Sequence, residues 1–506
     1  MALSNAFERY ANNAQSVLSA GIGSGDGTLA VASAATFPLA GRFRVQIDSE
    51  ILLVTSVSGT TFTVARAREG TSAASHSAGA GVTLKVTAAS LLGAAGPISV
   101  LAYGAVGDGT TEDTTALNAA RDAAGTNGTV YLPDGTYLVG QINLNVAGQR
   151  WHLSAGAILK AKPAMNTDVV KFSAVDVTLE GGTIDQDKAN QSSGAAVWIN
   201  ASRATIRGST IVNGKNGLVN ITSCDRARLL DCAFKDSGSQ GVFGENNCTN
   251  ALVDRCSFTG MTGTAIAFHS TTSGQSVDGT RVTNNYIEGA VGFCIEIGPF
   301  GGNRPRGVVV ANNECAGAAA FYGGISLDNC DGAVVVGNTY DDHGYAADIS
   351  GIELAGANEC AVTGNVVRAS KTTGCAISID RASRNTVSGN VIHGWDYAGN
   401  SIGIHISTSQ ASQVADDNSV TGNTFIADAS NSRYAIWVQS NATGGSCNRN
   451  VIANNVFIGT GSATAIKLEV DTGAVASTII LGNSFTGWST KVDVDSATGT
   501  IQEHNN

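Results

Sequence analysis

One unit recurs along most of this 506-residue chain: a short apolar strand, a turn, a Gly-Asn pair and a second short strand. The stretch GIELAGANECAVTGNVV at 351–367 shows it, and GISLDNCDGAVVVGNTY at 324–340 and AISIDRASRNTVSGNVI at 376–392 repeat it. Similar units extend from about residue 197 to residue 485. A repeat of this length is typical of a solenoid, a propeller or an array, in which each unit packs on its neighbours.

The asparagine that follows each turn measures the period of the repeat. Because the spacing of these residues varies while the strands keep their length, the extra residues are expected to loop out at a turn without disturbing the strands. This behaviour favours a parallel β-helix over a propeller. The asparagines are Asn285, Asn313, Asn338, Asn365, Asn390, Asn423, Asn455 and Asn483.

Each unit also carries two apolar residues separated by one variable residue. Alternate side chains of a strand point to opposite faces, so these pairs are expected to line one continuous core. We predict a solenoid of about a dozen coils, in which Asn365 stacks on its counterparts and its amide bonds along the ladder. Leucine-rich and helical solenoids are disfavoured because the units contain no helix-period pattern. The apolar pairs are Ile295/Ile297, Ile325/Leu327, Ile352/Leu354, Ile377/Ile379, Ile404/Ile406, Ile436/Val438 and Ile466/Leu468.

The composition agrees with many short strands joined by tight turns, since 43% of the residues are hydrophobic, 14% are charged, 62 are Gly and 6 are Pro. A net charge of -11 disfavours nucleic acid as a partner, because phosphate binding needs clustered Lys and Arg. There is no apolar run long enough for membrane insertion. The start, ALSNAFERYANNAQ after Met1, lacks the pattern of a signal peptide, so we expect folding in a cytosol.

The ten cysteines are spread through the chain without the C-x-x-C pairs of metal sites. Four of them share one position in the repeat, at the turn before a later strand: Cys224, Cys248, Cys330 and Cys360. We therefore expect buried free thiols that form a partial ladder. No metal and no cofactor is predicted.

The segment ISVLAYGAVGDGTTEDTTALNAARDAAGTNGTVYLPDGTYLVG at 98–140 predicts a strand, a Gly-rich turn, a short helix and another strand. Thr110 or Thr111 is the expected N-cap of the helix, with Glu112 and Asp113 in its first turn. The helix is expected to cover the open end of the solenoid, where strand edges would otherwise be exposed. Because GDGTTED lacks the Gly-Lys-Ser/Thr ending of a phosphate loop, Asp108 and Asp113 are interpreted as structural.

This segment resembles the opening of the pectate-lyase-like right-handed β-helix superfamily, which reads Gly-Ala-x-Gly-Asp-Gly, an Asp-Thr helix start and Leu-Pro-x-Gly-x-Tyr. With the repeats, the resemblance covers about residues 98–506. It implies an all-β protein with a right-handed parallel β-helix over 96–506 and a short N-terminal capping helix. The superfamily includes polysaccharide hydrolases and lyases, alginate epimerases and bacteriophage tailspikes. The resemblance is therefore more specific for the fold than for the reaction.

Residues 1–20 are predicted to hold an amphipathic helix, over 4 to about 18, and residues 21–95 a small β attachment domain. The segment 43–82 resembles small β modules of phage tail and spike proteins. The order of module and β-helix implies a virion tailspike that is assembled in the host cytoplasm and binds phage tail or baseplate proteins through residues 1–95. Spikes of this type are trimers, so the resemblance also implies a homotrimer.

Equivalent outward positions on successive coils form columns, because neighbouring strands stack ~4.8 Å apart. Column A holds the residues between each apolar pair, and column B holds the residues just after it. Column A is predicted to contain Trp198, Phe243, Ala267, Glu296, Ser326, Glu353, Ser378, His405, Trp437 and Lys467. Column B is predicted to contain Asn200, Glu245, His269, Gly298, Asp328, Ala355, Asp380, Ser407, Gln439 and Glu469.

Acidic residues occupy four consecutive coils of these columns. Carboxyl groups two coils apart are separated by roughly 9 to 10 Å between backbones, close to the ~6.5 to 9.5 Å separation in inverting glycosidases. One carboxyl would protonate the leaving oxygen while its partner activates water. We predict that Glu296, Asp328 and Glu353 are catalytic.

The remaining residues of this face are predicted to bind substrate. Trp437 and Trp198 offer flat apolar surfaces on which sugar rings stack. In the loop CIEIGPFGGNRPRG at 294–307, Arg304 or Arg306 would hold an acidic sugar. The predicted substrate-binding residues are Asp380, His405, His269, Trp437 and Arg304.

Three functions follow from this interpretation. The favoured one is binding and hydrolysis of a bacterial surface polysaccharide. A non-catalytic structural or receptor-binding spike is the second, since outward strand positions are polar in any soluble protein. The third is a polysaccharide lyase or hydrolase unrelated to phage. We find neither the acids and base of a calcium-dependent lyase nor, beyond the faintly similar DDHGY at 341–345, the Tyr, Asp and His pattern of alginate epimerases.

Overall fold

The structure, a computed structural model, describes residues 8–40, 42–87, 90, 96–316, 323–342, 350–369, 374–395, 402–427 and 434–505. Residues 343–345 of the DDHGY segment therefore lie outside the described residues. The chain divides into two compact units, Met1–Ile98 and Ser99–Asn506. Each unit has its own sheet system and is described separately.

The first unit is a six-stranded antiparallel sheet with the strand order β1-β6-β3-β4-β5-β2. Alternate residues of β3 point inward, and Phe43, Val45 and Ile47 are fully buried. Phe43 packs against Phe37 and Phe62 with ring centroids 5.9 and 5.6 Å apart. The strands are β1 (Gln15–Val17), β2 (Thr28–Ala30), β3 (Phe43–Ile47), β4 (Glu50–Ser58), β5 (Thr61–Ala65) and β6 (Gly81–Leu84).

The helix predicted within residues 1–20 is wrong for residues 8–20, the described part of that range. These residues form turns and strand β1, which pairs with β6 through Gln15, Ser16 and Val17. Ala14 and Leu18 are both buried in the core of the sheet. A spacing of four residues is also typical of one face of a helix. Here the backbone of the residues between Ala14 and Leu18 is instead hydrogen-bonded to β6.

The second unit is a parallel β-helix of about 13 turns, as the sequence predicted. Each coil contributes a strand to each of three faces. In chain order, a strand of face 1 is followed by the asparagine turn, a strand of face 2, a loop and a strand of face 3. The face 1 strands are β7 (Ile98–Ser99), β9 (Thr129–Leu132), β12 (Arg150–Leu153), β15 (Thr178–Glu180), β18 (Thr205–Arg207), β21 (Arg228–Leu230), β24 (Leu252–Asp254), β27 (Arg281–Thr283), β30 (Val309–Ala311), β33 (Val334–Val336), β36 (Ala361–Thr363), β39 (Thr386–Ser388), β42 (Ser419–Thr421), β45 (Val451–Ala453), β47 (Ile479–Leu481) and β49 (Ile501–Glu503).

Faces 2 and 3 join in the last coils, where β46 (Val456–Val470) and β48 (Ser484–Asp495) run through both. The other face 2 strands are β8 (Asp108–Glu112), β10 (Gly135–Val139), β13 (Ala157–Ala161), β16 (Thr183–Asp185), β19 (Thr210–Val212), β22 (Ala233–Ser237), β25 (Ser257–Met261), β28 (Tyr286–Glu288), β31 (Glu314–Ala316), β34 (Thr339–Asp342), β37 (Val366–Ala369), β40 (Val391–His393) and β43 (Thr424–Ile426). The other face 3 strands are β11 (Ile142–Leu144), β14 (Val170–Phe172), β17 (Val197–Ile199), β20 (Val219–Thr222), β23 (Val242–Glu245), β26 (Ile266–Ser270), β29 (Phe293–Pro299), β32 (Gly323–Asp328), β35 (Ser350–Ala355), β38 (Cys375–Asp380), β41 (Ile402–Thr408) and β44 (Tyr434–Ser440).

The asparagine ladder predicted from the repeat is confirmed. The Asn365 side chain donates to the Oδ1 of Asn390 at 2.9 Å and to the carbonyl of Val335 at 3.0 Å. Its own Oδ1 accepts from the backbone and side-chain nitrogens of Asn338. Four buried hydrogen bonds thus satisfy each internal amide, and the same pattern connects Asn285 to Asn505.

A single α-helix, α1 (Thr114–Ala124), packs at the N-terminal end of the solenoid among the described residues, against β9, β11 and the 3-10 helix Val100–Tyr103. A second 3-10 helix spans Lys188–Asn190. The helix α1 begins later than predicted, because Asp113 and not Thr110 or Thr111 is its N-cap. The Asp113 carboxylate accepts from the amides of Val106 and Gly107 and so ties the Gly-rich turn to the helix start.

All ten cysteines are free and buried, as predicted. Cys330 and Cys360 lie at equivalent turns of adjacent coils, and burial raises the pKa of Cys360 to about 11. Two further thiols continue the asparagine ladder towards the N-terminus. The backbone amide of Cys256 donates to Asn285 at 2.9 Å, and that of Cys232 contacts the Cys256 sulfur at 3.5 Å.

Candidate functional site

The outward columns of face 3 have the predicted order. Glu296 pairs with Ser326, Ser326 with Glu353, and Glu353 with Ser378 along column A. Column B follows the same register two residues further along each strand. The prediction missed one coil, because β20 places Asn220 in column A between Trp198 and Phe243, and Thr222 in column B before Glu245.

Four acidic side chains alternate between the two columns on consecutive coils: Glu296 in A, Asp328 in B, Glu353 in A and Asp380 in B. Small residues separate the acids within each column, so no two carboxyls face each other directly across adjacent strands. These spacers are Gly298, Ser326, Ala355, Ser378 and Ser407. Two carboxyls in one column are two strand spacings apart, ~10 Å between backbones. The acids and spacers thus alternate in a zigzag along this outer surface, which we call the acidic groove.

Two of these carboxyls are held in a poorly solvated setting. Burial raises the pKa of Glu353, the Ser326 hydroxyl bonded to it at 3.1 Å opposes the change, and the charges of Asp380 and Asp328 add to it. Burial likewise raises the pKa of Asp328, against a hydrogen bond from Asn329 at 2.9 Å. Both groups therefore hold a proton to higher pH than an exposed carboxyl does.

Glu296 has a different environment from Glu353. Its Oε2 lies 3.4 Å from the Nε2 of His269 and accepts from the Thr264 hydroxyl at 3.3 Å. The side chains of His269 and Glu296 are 13% and 19% exposed, so both remain accessible in the groove. An acid in contact with an imidazole and a hydroxyl can exchange a proton with water or substrate beside it.

Asp380 is occupied by local partners. It forms an ion pair with Arg381 at 2.8 Å and accepts from the backbone and hydroxyl of Ser409 at 2.9 and 2.6 Å. Its predicted place in the columns is correct, but its oxygens are largely engaged. The adjacent Arg381, which the sequence interpretation passed over, is the cation of this groove, and its charge lowers the pKa of Glu353 and Asp328 against the effect of burial.

Aromatic clusters bracket the acids. His405 stacks on Trp437 with ring centroids 4.8 Å apart, and Tyr434 lies 5.1 Å from Trp437. At the other end, His269 contacts Phe300 at 4.3 Å between centroids. The outermost members of the two clusters, His269 and Trp437, lie six strand spacings apart, ~29 Å along the solenoid.

The predicted stacking surfaces differ from those in the structure. Trp437 is only 9% exposed, because it packs on Ile402 and Cys375 as well as on its aromatic neighbours. The face of Trp198 is covered by the ammonium of Lys171, 4.2 Å from the ring centroid. Phe300, at 55% exposure, is an open aromatic side chain that the sequence interpretation missed.

The substrate-binding role of Arg304 stays a prediction, but most of its guanidinium donors are engaged within the protein. Its guanidinium forms a bidentate ion pair with Asp331 at 2.7 to 3.0 Å and also donates to Asn329 and to the carbonyl of Gly356. Four of its five N–H donors are engaged in this way, so Arg304 fixes the loop after β29 and has one N–H left for a sugar carboxylate.

Family comparisons agree with this architecture. The model of the family described as rhamnogalacturonase A/epimerase, pectate lyase-like, matches residues 97–293, and that of the family described as periplasmic copper-binding protein (NosD) matches residues 300–500.

Among the described residues, no three His, Cys, Asp or Glu side chains are grouped so that they could hold a metal ion. Nor is any helix in the described part of the chain long and apolar enough to cross a membrane.

Individual proteins are similar over parts of the chain. Plasmin and fibronectin-binding protein A of Streptococcus pneumoniae is 28% identical over 183 residues, which cover 32% of this chain and 24% of that protein. The match thus spans about a quarter of that relative. The A-module of the mannuronan C-5 epimerase AlgE6 of Azotobacter vinelandii has a TM-score of 0.52 at 16% identity and covers 78% of this chain and 99% of that one. The Dettilon tailspike protein has a TM-score of 0.45 at 16% identity, with 81% of this chain and 70% of that chain covered.

The fold and the first family match define the class of protein: a parallel β-helix with a groove of acids along one outer face. Residues 97–293 are thus similar to a pectate-lyase-like family, and the second unit has the parallel β-helix fold.

Proposed function

We propose that this protein binds a polysaccharide along the acidic groove and cleaves it by hydrolysis. The observation that carries the proposal is the contrast between Glu353 and Glu296, two carboxyls in one column with Ser326 between them. Glu353 is partly buried, which raises its pKa, whereas Glu296 contacts His269. Two carboxyls whose surroundings differ in this way are suited to separate acid and base roles.

In the proposed reaction, Glu353 protonates the glycosidic oxygen of the leaving sugar. Glu296 removes a proton from a water molecule that attacks the anomeric carbon from the opposite side, and His269 orients the Glu296 carboxylate. The backbone separation of ~10 Å leaves room for that water, as in inverting glycosidases. Asp328, one coil from each of them, contributes a further carboxyl that can form a hydrogen bond with a substrate hydroxyl.

The test is digestion of a panel of bacterial capsule and lipopolysaccharide glycans by the full chain. New reducing ends without the ultraviolet absorbance of an unsaturated uronate are expected, and this absorbance would instead identify a lyase. Glu353→Gln and Glu296→Gln should each lower the rate by about a hundredfold or more. The matched control is Glu314→Gln, an exposed outward acid on face 2, which should retain the rate.

A folded protein that binds a glycan but cleaves none would instead support the non-catalytic receptor-binding spike. The same substitutions then distinguish the two functions. In a receptor, Glu353→Gln changes only the affinity for the glycan, whereas in a hydrolase it leaves binding measurable and abolishes turnover.

We also propose that the protein is a virion tailspike attached to phage tail or baseplate proteins through residues 1–95. The order of a small β unit before a β-helix supports this assignment. Co-purification of residues 1–95 with tail components of a phage that carries this chain tests it. Failure of that segment to bind any tail component would favour a polysaccharide enzyme unrelated to phage.

A homotrimer is part of the same proposal. Large apolar side chains are exposed on the last coils, where Val456, Ile458, Leu481 and Ile501 are 37 to 50% exposed. Burial of such side chains between subunits would stabilise an oligomer. Analytical ultracentrifugation should give a trimer, and Ile458→Lys combined with Ile501→Lys should give monomers. A monomeric wild-type protein would contradict the assignment.

A further inference from the structure

Face 1 carries a second groove, remote from the acidic groove on face 3 and opposite to it in charge. Two adjoining cavities of about 310 and 280 Å³ share Arg226 and Arg228 in their walls. Arg203 lines the first cavity and Arg281 the second, and Thr178 and Thr205 contribute hydroxyls. A cluster of four arginines is unexpected on a chain with a net charge of -11.

The register explains the spacing of the guanidinium groups. Thr205, Arg228, Leu252 and Arg281 occupy one outward column on consecutive coils. Arg228 and Arg281 are therefore two strand spacings apart, ~10 Å between backbones. Arg226 lies in the turn before β21, with φ +59°, and lines both cavities together with Arg228, so three cationic side chains project from this face within two strand spacings.

The ion pairs of this face divide the arginines into two groups. Arg203 is held by Asp176 at 2.6 Å, and Arg226 lies 3.2 Å from Asp225. Arg228 and Arg281 are exposed, and neither contacts a carboxylate among the described residues. Like charges this close on one sheet face repel, so the patch is destabilising until an anion neutralises it.

We propose that this groove, which we call the arginine groove, is a binding site for an anionic glycan, with Arg228 and Arg281 bound to acidic groups on successive parts of the glycan chain. Guanidinium forks bind carboxylate and sulfate or phosphate ester groups in a bidentate manner. The separation of ~10 Å suits a polymer with one charge on every one or two sugar rings. A nucleic acid duplex carries one charge per ~1.7 Å and would need many more cations.

The site does not depend on the hydrolysis proposed above, because it shares no residue with the acidic groove. An acidic polysaccharide held on face 1 would keep the protein on its polymer between cleavage events on face 3, and linked sites of this kind raise the effective concentration of the polymer at the second site.

Three probes test the proposal with the full chain. Labelled oligogalacturonates carry carboxylates, and dextran sulfate differs from neutral dextran only in its sulfate esters. Binding is followed by fluorescence anisotropy at roughly 0.05 and 0.15 M salt, where screening differs. We expect both anionic probes to bind, neutral dextran not to bind, and the affinity to fall with salt.

The decisive variant is Arg228→Ala combined with Arg281→Ala, which should weaken binding of the anionic probes by about tenfold or more. Both side chains are exposed and contact no carboxylate of the described residues, so the fold should be retained. The control with the same change in net charge is Lys215→Ala combined with Lys235→Ala, two exposed lysines outside face 1. Glu353→Gln should leave this binding unchanged and so separates it from the acidic groove.

Three results would overturn the proposal. The first is absence of binding of either anionic probe to the wild-type protein at the lower salt concentration. The second is an equal loss of binding in the lysine control, which would indicate attraction without a site. In the third, loss of binding only in the Glu353→Gln variant would assign the glycan to face 3 alone.

Discussion

At the scale of single residues, the position before each ladder asparagine determines how tightly the chain turns. This residue has a positive φ in every coil of the ladder, and it is glycine or asparagine from Asn285 to Asn483. Gly364 has φ +64°, whereas Asn284, Asn312 and Asn454 have φ between +55 and +57°. No atom lies within 4 Å of the place where a Gly364 side chain would start. Glycine is therefore preferred at this position because of the backbone conformation, and not because a side chain would lack space.

We therefore expect Gly364→Ala to lower the free energy of unfolding by about 1 kcal/mol, because alanine is strained in the left-handed region. Gly364→Asn should cost less than half as much, since asparagine tolerates that region. Urea unfolding of the two variants and the wild type measures the difference. Equal losses for Ala and Asn would show that a clash, and not the backbone, limits this position.

The protonation of Glu353 predicts a second effect at this scale. Its pKa is raised in the folded state, mainly by burial, so the native protein binds this proton more tightly than the unfolded chain. The contribution to stability is then greatest below the unfolded value of 4.5 and is lost as the pH rises through the folded pKa. Glu353→Gln should raise the unfolding temperature at neutral pH and leave it nearly unchanged near pH 4.

Thermal unfolding across this range tests the prediction, with Glu314→Gln as the exposed control. A loss of stability at neutral pH in Glu353→Gln would mean that the carboxylate is stabilised by its neighbours, and it would remove the physical basis for the proposed acid.

At the scale of the structural element, the asparagine ladder connects the coils through buried amides. Asn365→Ala would leave the backbone and side-chain N–H groups of Asn338 and the carbonyl of Val335 without this partner. Each buried polar group that loses its partner costs ~1 to 3 kcal/mol. We expect a loss of about 2 to 4 kcal/mol in urea unfolding. Thr386→Ala, at an exposed outward position of the next coil, should change stability by less than about 0.5 kcal/mol.

Similar losses in the two variants would show that the ladder adds nothing beyond ordinary strand packing.

The ladder also explains which parts of the fold could be predicted from the sequence. From Asn285 onward, the amide at each turn makes the repeat visible, and both columns of face 3 were predicted correctly there. Before Asn285 the same position holds Cys256 and Cys232, whose thiols take the place of the amide. The asparagine repeat cannot be followed in the sequence before Asn285, because the residue type at this position changes. For this reason the coil of β20 was missed.

The other differences arise from contacts between distant parts of the chain. Burial of Trp437 and the bidentate partner of Arg304 depend on side chains from other coils, which no local pattern specifies. The strand β1 was mistaken for a helix because its partner β6 is more than 60 residues away. The residues of a column can be predicted from the sequence, because they depend only on the period of the strands. The partners of a given side chain in a groove cannot be predicted in this way.

At the scale of the whole molecule, each unit contains the interactions that stabilise it. The core of the first unit is formed by residues between Ala11 and Leu84. Its buried Glu50 is bound by Arg66 at 2.7 Å and by His76 at 2.9 Å, again within the unit. The second unit is a stack in which each coil contacts its neighbours, and its ladders begin and end within residues 99–506.

We therefore predict that a chain of residues 96–506 folds on its own, with an unfolding temperature within a few degrees of that of the full protein and an unchanged rate of polysaccharide cleavage. A matched chain of residues 126–506 lacks α1 and the strands β7 and β8. It should aggregate, because removal of the cap exposes the edges of the first coil and the surface that buries Leu117. Circular dichroism, thermal unfolding and sedimentation of the two chains provide the comparison.

If residues 96–506 were unfolded or insoluble while the full chain was stable, the first unit would be part of the cooperative fold of the solenoid. If both shortened chains were soluble and stable, the helix α1 would not be the cap that its position indicates.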